Sequence, residues 1–315
     1  MRYDLKNPTH LKEIHAYEAH KAGILGEGIG VAVLDTGIYP HPDFFVKEYR
    51  IDAFSDFVYG RTYPYDDANH GTHICGIIAS GGTDMSGRYM GIAPCAHLIV
   101  GKILDFRGNG KIPAALASFQ WILQNRHLYN IRIVNISVGM PVEHPTDEFS
   151  PFMEAVNELW DAGLVVVAAA GNNGPDTKTI TAPGISRKII TVGSCDTRNN
   201  TGSVRPVSKK GDFYAKHNLY SGRGPTINCV KKPDLCAPGN DILSCHNMRT
   251  DYILKSGTSM STPMVSGAAA LLLSKESSLS NKEVKRRLIA SARDLHLPWQ
   301  QQGAGLLDIK RMLSL

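Results

Sequence analysis

The chain has 315 residues, of which 43% are hydrophobic and 20% charged, a composition that excludes disordered, collagen-like and coiled-coil proteins. The 34 basic and 29 acidic side chains give a net charge of +5 that is spread in short pairs, so we expect no nucleic-acid partner. The longest apolar runs, residues 164–170 and 268–273, are too short to cross a bilayer, so we expect no membrane partner.

Apolar runs alternate with helix-patterned segments along the chain, after an N-terminal arm at residues 1–25 that we expect to be helical. Strands are predicted at residues 29–34, 98–104, 131–136, 164–170 and 188–192. Helices are predicted at residues 112–127, 149–162, 259–274 and 281–294. The last of these begins with a capping box formed by Ser280 and Glu283.

This alternation of buried strands and helices predicts the fold class. Near-continuous apolar strands indicate a three-layer α/β fold, in which a mostly parallel, buried sheet carries helices on both faces. The polar stretch 194–228 is expected to form loops and short antiparallel strands at the sheet edge. Because the sequence contains neither a linker nor a repeat, we expect a single domain over residues 1–315.

Six cysteines stand at positions 75, 95, 195, 229, 236 and 245 without a C-x-x-C pair. We expect free thiols, which are typical of a reducing cytoplasm. A zinc site made of Cys229, Cys236, Cys245 and His246 would have unusually wide spacing between its ligands. The N-terminus shows no apolar signal segment, so we expect a cytoplasmic protein, or a secreted one if the chain has been trimmed.

Two segments bring ionisable side chains to the ends of buried elements. The first apolar strand ends in Asp35, which places a carboxylate at the carboxyl end of a strand, the edge at which α/β sheets bind ligands. Asp is also common in turns, so Asp35 could be a simple turn residue. Residues 69–79 change from a polar loop to an apolar helix with His70 at its start, where an imidazole could act as general base. His70 and His73 lack the H-E-x-x-H pattern of zinc proteases, which makes metal binding the weaker interpretation.

Two further segments offer a nucleophile and an amide. Ser259 precedes a run of small residues, and Pro263 places the helix start close to it, so this serine is either a nucleophile or a simple N-cap. Asn172 follows the apolar run 165–170 and could stabilise an oxyanion, or it could belong to a Gly-Asn turn. Each segment alone leaves both interpretations open.

Together, the motifs V-L-D-T-G, H-G-T-H and G-T-S-M-S-T-P resemble the three signatures of the subtilisin-like serine proteases, the subtilases. The segment A-A-A-G-N agrees as well, and the resemblance covers about residues 25–310. It implies the subtilisin-like fold and a serine endopeptidase, with Ser259 as nucleophile, His70 as general base and acid, and Asp35 as the group that orients the imidazole. Asn172 and the backbone N–H of Ser259 would form the oxyanion hole.

The resemblance also implies how a substrate binds. A protein or peptide substrate would lie as an extended strand between residues 104–110, which include Gly108 and Gly110, and residues 137–140. The pocket for the P1 side chain, which precedes the cleaved bond, would be lined by small uncharged residues that favour an apolar or mid-sized P1: Ser137, Val138, Gly139, Ala169, Ala170, Gly171, Thr181, Ala182 and Pro183.

Other features qualify the resemblance. No cofactor is needed for the chemistry, but Asp43 matches a position that binds calcium in some relatives, whereas the rest of the ligand loop, residues 80–89, does not clearly match. Ser261 replaces the usual Ala, and Cys75 stands where Ala is frequent. We expect Cys75 to lie beneath His70, either as a silent core thiol or as a site where a thiol reagent could perturb the base.

The segments P-G-I-S and S-G-R-G-P are most similar to the intracellular, propeptide-less bacterial subtilases. Residues 1–20 could instead form a short inhibitory arm. Two other functions remain open alongside an active endopeptidase: a peptide-binding pseudoprotease, and a peptide ligase or macrocyclase on the same fold. The oligomeric state also remains open.

Overall fold

The computed structural model describes residues 9–45, 48–82, 89–195 and 220–314, and a parallel sheet runs through its centre. Its strands are β1 (Gly30–Asp35), β2 (Ile51–Asp56), β3 (His97–Lys102), β4 (Ile131–Ile136), β5 (Val165–Ala169), β6 (Ile190–Ser194) and β7 (Leu235–Ala237). The strand order is β2-β3-β1-β4-β5-β6-β7, and every neighbouring pair is parallel. The central strands β1 and β5 are buried along their whole length because their side chains are almost all aliphatic.

Helices cover the sheet on both faces. They are α1 (Thr9–Glu13), α2 (Ala16–Lys21), α3 (Gly71–Ala79), α4 (Ile112–Asn125), α5 (Pro151–Asp161), α6 (Thr258–Lys275), α7 (Asn281–Ser291), α8 (Trp299–Gln302) and α9 (Ile309–Leu313). Helix α6 packs against α3 and against strands β4, β5 and β6, whereas α4 and α5 pack against each other and reach β1 and β5. The expected three-layer α/β fold is confirmed. Within the described ranges no helix has the length and apolar character needed to span a membrane.

The five predicted strands and four predicted helices all occur, with ends shifted by a few residues. The capping box is also present, since Ser280 Oγ accepts the N–H of Glu283. The sequence prediction missed β2, β7 and the antiparallel pair β8 (Ile242–Cys245) and β9 (Tyr252–Lys255), which are short or mix polar with apolar side chains. Most of the polar stretch 194–228 lies outside the described residues, and the antiparallel pair occurs after it.

The N-terminal arm is helical over its described part, because α1 and α2 form a pair that packs against α9. Leu11 and Ile14 are fully buried there, and the Arg293 guanidinium donates a hydrogen bond to the carbonyl of Glu13 at 3.1 Å. The backbone N–H of Ile309 likewise donates to the carbonyl of Ile14 at 2.9 Å. These contacts give no support to an inhibitory arm, and residues 1–8 lie outside the described part.

The expectation of six free thiols is wrong for two of them, because Cys195 and Cys236 form a disulfide with a Cα–Cα distance of 5.8 Å. Cys236 lies in β7 and Cys195 directly follows β6, so the chain ends up with both thiols side by side on adjacent strands. Cys236 is therefore not available to the zinc set considered above. One of the two arguments for a cytoplasmic location is also removed, since disulfides are rare in reducing compartments.

Candidate active site

Asp35 and His70 meet at the carboxyl end of β1. Asp35 is fully buried, and its Oδ1 accepts hydrogen bonds from His70 Nδ1 at 2.7 Å and from the N–H of Thr36 at 2.7 Å. Asp35 Oδ2 is buried and has no hydrogen-bond partner among the described residues. Because the carboxylate accepts a hydrogen bond from Nδ1–H, the neutral imidazole keeps its proton on Nδ1 and carries its lone pair on Nε2, which is the arrangement a general base needs.

His70 immediately precedes helix α3, and 26% of its side chain is exposed, on the side that faces the cleft. Burial lowers the pKa of His70, but the charge of Asp35 and its hydrogen bond outweigh burial, so the pKa lies above its usual value. The imidazolium that forms when the base takes a proton is therefore stabilised by Asp35.

Asp66 ties the loop after β1 to the start of α3, a role that the sequence analysis missed. Its Oδ1 accepts the hydroxyl of Thr36 at 2.8 Å, and its Oδ2 accepts the hydroxyl of Thr72 at 2.6 Å. Gly71 then donates its N–H to Thr36 Oγ1 at 2.9 Å. A Cβ at Gly71 would overlap the carbonyl of Gly37, so only glycine permits this close approach between the two segments.

Ser259 lies in the first turn of α6, as its neighbouring proline predicted. Small residues let this helix sit against the sheet, and Gly267 packs directly on Ile92. Ser259 lines the same cleft as His70, but its hydroxyl donates to the carbonyl of Ser137 at 2.8 Å. The structure therefore contains the hydrogen bond between Asp35 and His70, but the Ser259 hydroxyl is bonded to the residue that follows β4 and not to His70.

Asn172 follows β5 and is held by the first residue of α6. Its Oδ1 accepts the backbone N–H of Thr258 at 3.1 Å and the Thr258 hydroxyl at 3.0 Å. These two donors identify the amide oxygen, so the amide NH₂ is the end left to face the cleft, which Asn172 also lines. No pattern in the sequence indicated that Thr258 anchors this amide.

The cleft has a volume of about 520 Å³ and two different walls. We call Gly139, Ala169, Gly171 and Thr181 the small-residue wall, and Leu104, Phe106, Arg107 and Gly108 the loop wall. Ser137 and Val138 also line the cleft, as expected. Of the loop wall, the sequence pointed to Gly108 alone by number, and the two large side chains Phe106 and Arg107 were overlooked.

Four of the residues expected to bind the substrate do not line this cleft. Ala170 is fully buried and contributes only backbone, since its carbonyl accepts the N–H of Thr181 at 3.0 Å. The reason is the alternation of side chains along an extended chain, which turns Ala170 away when Ala169 and Gly171 face the cleft. Gly110, Ala182 and Pro183 line a neighbouring apolar recess of about 120 Å³, next to Ile112 and Phe152.

Thr181 is the largest side chain of the small-residue wall and packs against its two glycines, Gly139 and Gly171. A Cβ at either Gly139 or Gly171 would overlap the Thr181 side chain, so this threonine occupies the space between the two glycines. It is only 5% exposed, and its Oγ1 is buried with no hydrogen-bond partner in the part of the chain that the structure describes. Thr181 therefore limits how far a side chain can enter from the cleft.

The described residues around Asp43 do not fit calcium, which prefers six to eight oxygen ligands. The Asp43 carboxylate instead accepts hydrogen bonds from three side chains: Ser80, Tyr252 and Cys245. The buried guanidinium of Arg50 donates to the backbone carbonyl of Asp43, which places a positive charge beside it. Residues 83–88, within the loop that would supply the other ligands, lie outside the described part.

Comparison with known proteins gives a consistent result. The sequence profile of the subtilase family matches residues 26–305. Serine protease AprX of Bacillus subtilis (strain 168) is 41% identical over 87% of this chain and 64% of its own length. Subtilisin BL of Lederbergia lenta is 33% identical over 91% of this chain and 92% of its own length. This chain thus spans slightly less than two thirds of AprX, and it belongs to the subtilase family of serine proteases.

Proposed function

We propose that this protein is a serine endopeptidase that cleaves protein chains through Asp35, His70 and Ser259. The observation that carries the proposal is the 2.7 Å hydrogen bond between Asp35 and His70, in the same cleft that Ser259 lines. The family's known members supply the reaction class. The residues of this chain supply a base, a nucleophile and a donor for the oxyanion.

The substrate is proposed to bind as an extended strand between residues 104–110 and 137–140. Leu104 and Gly110 pair with each other, so the first segment is a closed loop at the cleft edge. Met140 pairs with Ala182 through hydrogen bonds of 2.8 and 2.9 Å, which leaves residues 137–139 as the part of the second segment facing the cleft. Backbone pairing of this kind gives affinity with little sequence selection.

In the proposed first step, rotation of the Ser259 side chain moves its hydroxyl from the carbonyl of Ser137 towards Nε2 of His70. His70 takes the proton as Ser259 Oγ attacks the substrate carbonyl carbon, and Asp35 stabilises the imidazolium. The Asn172 amide and the Ser259 backbone N–H donate to the oxygen, which becomes negatively charged. Protonation of the leaving amine by His70 gives an acyl-enzyme that water then hydrolyses.

A fluorophosphonate probe tests this mechanism. We expect the wild-type protein to be labelled and the Ser259→Ala variant to be unlabelled. Ser261→Ala is the matched control, because Ser261 lies in the same turn but its hydroxyl is buried against the carbonyls of Ala237 and Pro238 at 3.0 and 3.1 Å. This control variant should still be labelled.

Mass spectrometry of a digested, denatured protein then identifies the reaction. Internal cleavage products support the endopeptidase, whereas peptides joined to an added amine would indicate a ligase. A wild-type protein that neither reacts with the probe nor cleaves protein would contradict the proposal and indicate a peptide-binding pseudoprotease.

A further inference from the structure

The charged side chains around the cleft are of one sign. Among the described residues that line the cleft and the neighbouring apolar recess, the permanently charged ones are Arg107 and Lys111, and no carboxylate is present. Arg107 lines the cleft itself, whereas Lys111 lines the neighbouring recess. The rest of the lining is neutral, apart from His70.

We propose that Arg107 makes this protein select an acidic side chain at P2, the substrate position that precedes P1. The inference rests on the proposed endopeptidase function and adds a substrate class to it. A peptide with Glu or Asp at P2 would place its carboxylate beside the Arg107 guanidinium.

The backbone of the loop wall is held in one shape. Asp105 Oδ1 accepts the N–H of Arg107 at 2.8 Å and the N–H of Asn109 at 2.9 Å. The carbonyl of Asp105 also accepts the N–H of Gly108 at 3.0 Å. Because three hydrogen bonds close this turn, the position of the Arg107 backbone at the cleft edge is fixed.

The side chain of Arg107 is supported as well. Its guanidinium lies 5.1 Å from the centre of the Phe106 ring, a distance at which a cation is attracted to the ring face. Phe106 is 54% exposed and lines the cleft together with Arg107. An exposed aromatic ring at this place gives the guanidinium a platform next to the substrate.

Asp105 is the nearby carboxylate that could compete with a substrate. Hydrogen bonds from Asn109 and Arg107 hold the pKa of Asp105 below its usual value, so it stays ionised and bound within the turn. Asp105 does not line the cleft. A substrate carboxylate would therefore approach Arg107 from the cleft side, while Asp105 supports the turn from behind.

The alternation of an extended strand assigns the substrate position. Successive side chains point to opposite sides, so when P1 enters the pocket at the small-residue wall, P2 faces the loop wall. Leu104, Phe106 and Arg107 form that wall next to His70. A P2 carboxylate would reach the guanidinium, and a P2 aliphatic side chain would contact only Leu104 and Phe106.

The expected selectivity is modest because Arg107 is exposed to solvent. Exposed ion pairs change a rate constant or an affinity by about two- to fivefold. Salt screens such pairs, so the selectivity should shrink as ionic strength rises. These two properties distinguish an ion pair from a steric preference, which salt would leave unchanged.

Matched fluorogenic peptides that differ only at P2, with Glu, Gln or Lys, test the inference. For the wild-type protein at low salt we expect kcat/KM to fall about two- to fivefold from Glu to Gln and again from Gln to Lys. Arg107→Gln should make the three peptides nearly equal, Arg107→Glu should reverse the order, and Arg107→Lys should keep it. Lys111→Gln is the positional control and should keep the P2 order.

The outcomes separate this inference from the proposed function. Equal kcat/KM for the Glu and Gln peptides, or a Glu preference that survives Arg107→Gln or high salt, would overturn the inference while the endopeptidase stands. If the neutral Gln peptide is not cleaved and no fluorophosphonate labelling of Ser259 occurs, the proposed function fails and the inference fails with it.

Discussion

The reacting groups and the loop wall are held in place in different ways. Asp35, Asn172 and Ser259 lie at or just beyond the ends of buried strands and helices, and each is bonded to a second element of the fold. Beyond the buried Leu104, the loop wall is an exposed turn in which Asp105 Oδ1 accepts the N–H groups of Arg107 and Asn109. Substitutions at the reacting groups should therefore slow the cleavage of every substrate equally, whereas substitutions in the walls should change which substrate is preferred.

The largest effect is expected for Asp35→Asn, which keeps the shape of the carboxylate but removes its charge. The variant amide can hold the imidazole in the wrong tautomer, and such a change costs about 10⁴ in kcat in a serine protease triad. The loss should be the same for all P1 and P2 side chains. Measuring kcat/KM on a set of peptides checks this, and a loss that differs among peptides would contradict a purely catalytic role.

The pH profile of the same two proteins sharpens the test. The base must be neutral, so kcat/KM rises with pH through the pKa of His70, which lies above the usual value of about 6.5. In Asp35→Asn the charge that raises this pKa is gone while burial still lowers it. The acidic limb should therefore move to lower pH, and an unchanged limb would show that Asp35 does not control His70.

The next effect concerns the oxyanion donor. Removing one such donor costs about 10²–10³ in kcat in a subtilisin, and we expect the same for Asn172→Ala with little change in KM. Thr258→Val, which removes only the hydroxyl that holds Asn172 Oδ1 at 3.0 Å, should cost about two- to tenfold, the value of one hydrogen bond. Steady-state kinetics on one peptide measures both variants. Equal losses in the two would mean that Thr258 acts in some other way than by orienting the amide.

A smaller and selective effect is expected in the small-residue wall. Thr181→Gly should deepen the P1 pocket and raise kcat/KM for a P1 Phe peptide relative to a P1 Ala peptide by about tenfold. This is the discrimination that one additional buried methylene provides in an apolar pocket. Thr181→Val is the matched control, since it keeps the volume and removes a hydroxyl for which the described residues provide no hydrogen-bond partner. Peptides that differ at P1 provide the measurement. If Thr181→Val changes the ratio as much as Thr181→Gly does, volume does not set the P1 preference.

The two regions also differ in how well the sequence predicted them. Buried elements have a strong signature because their apolar pattern and small residues are required by packing, and this is why β1, β5, α6 and the positions of Asp35 and Ser259 could be inferred. The resemblance to the subtilases then assigned a role to each. Only the alternation error at Ala170 needed correction among the residues next to β5.

Exposed loops, and pairs of residues that are far apart in sequence, lack the apolar pattern that marks buried strands and helices. Arg107 and Phe106 lie in a polar loop, and nothing in their neighbours shows that their side chains face a cleft. Asp66 accepts hydrogen bonds from Thr36, which is 30 residues away in sequence, and from Thr72, which is six residues away. No local sequence pattern connects these partners. The Cys195–Cys236 disulfide joins residues 41 positions apart, and cysteine spacing alone does not assign such a pair.

That disulfide provides the smallest expected effect on catalysis and so a control for the whole comparison. It joins adjacent strands outside both the reacting groups and the cleft walls. Removing a disulfide that closes a loop of 41 residues should lower the free energy of unfolding by about 3–4 kcal/mol. We therefore expect the double variant Cys195→Ala, Cys236→Ala to unfold at lower urea concentration but to keep its kcat/KM and its P1 and P2 preferences. Cys229→Ser, at an exposed free thiol, is the control for stability.

Thiol titration of the unfolded wild-type protein should find four thiols before reduction and six after it. Six before reduction would show that the pair is not formed.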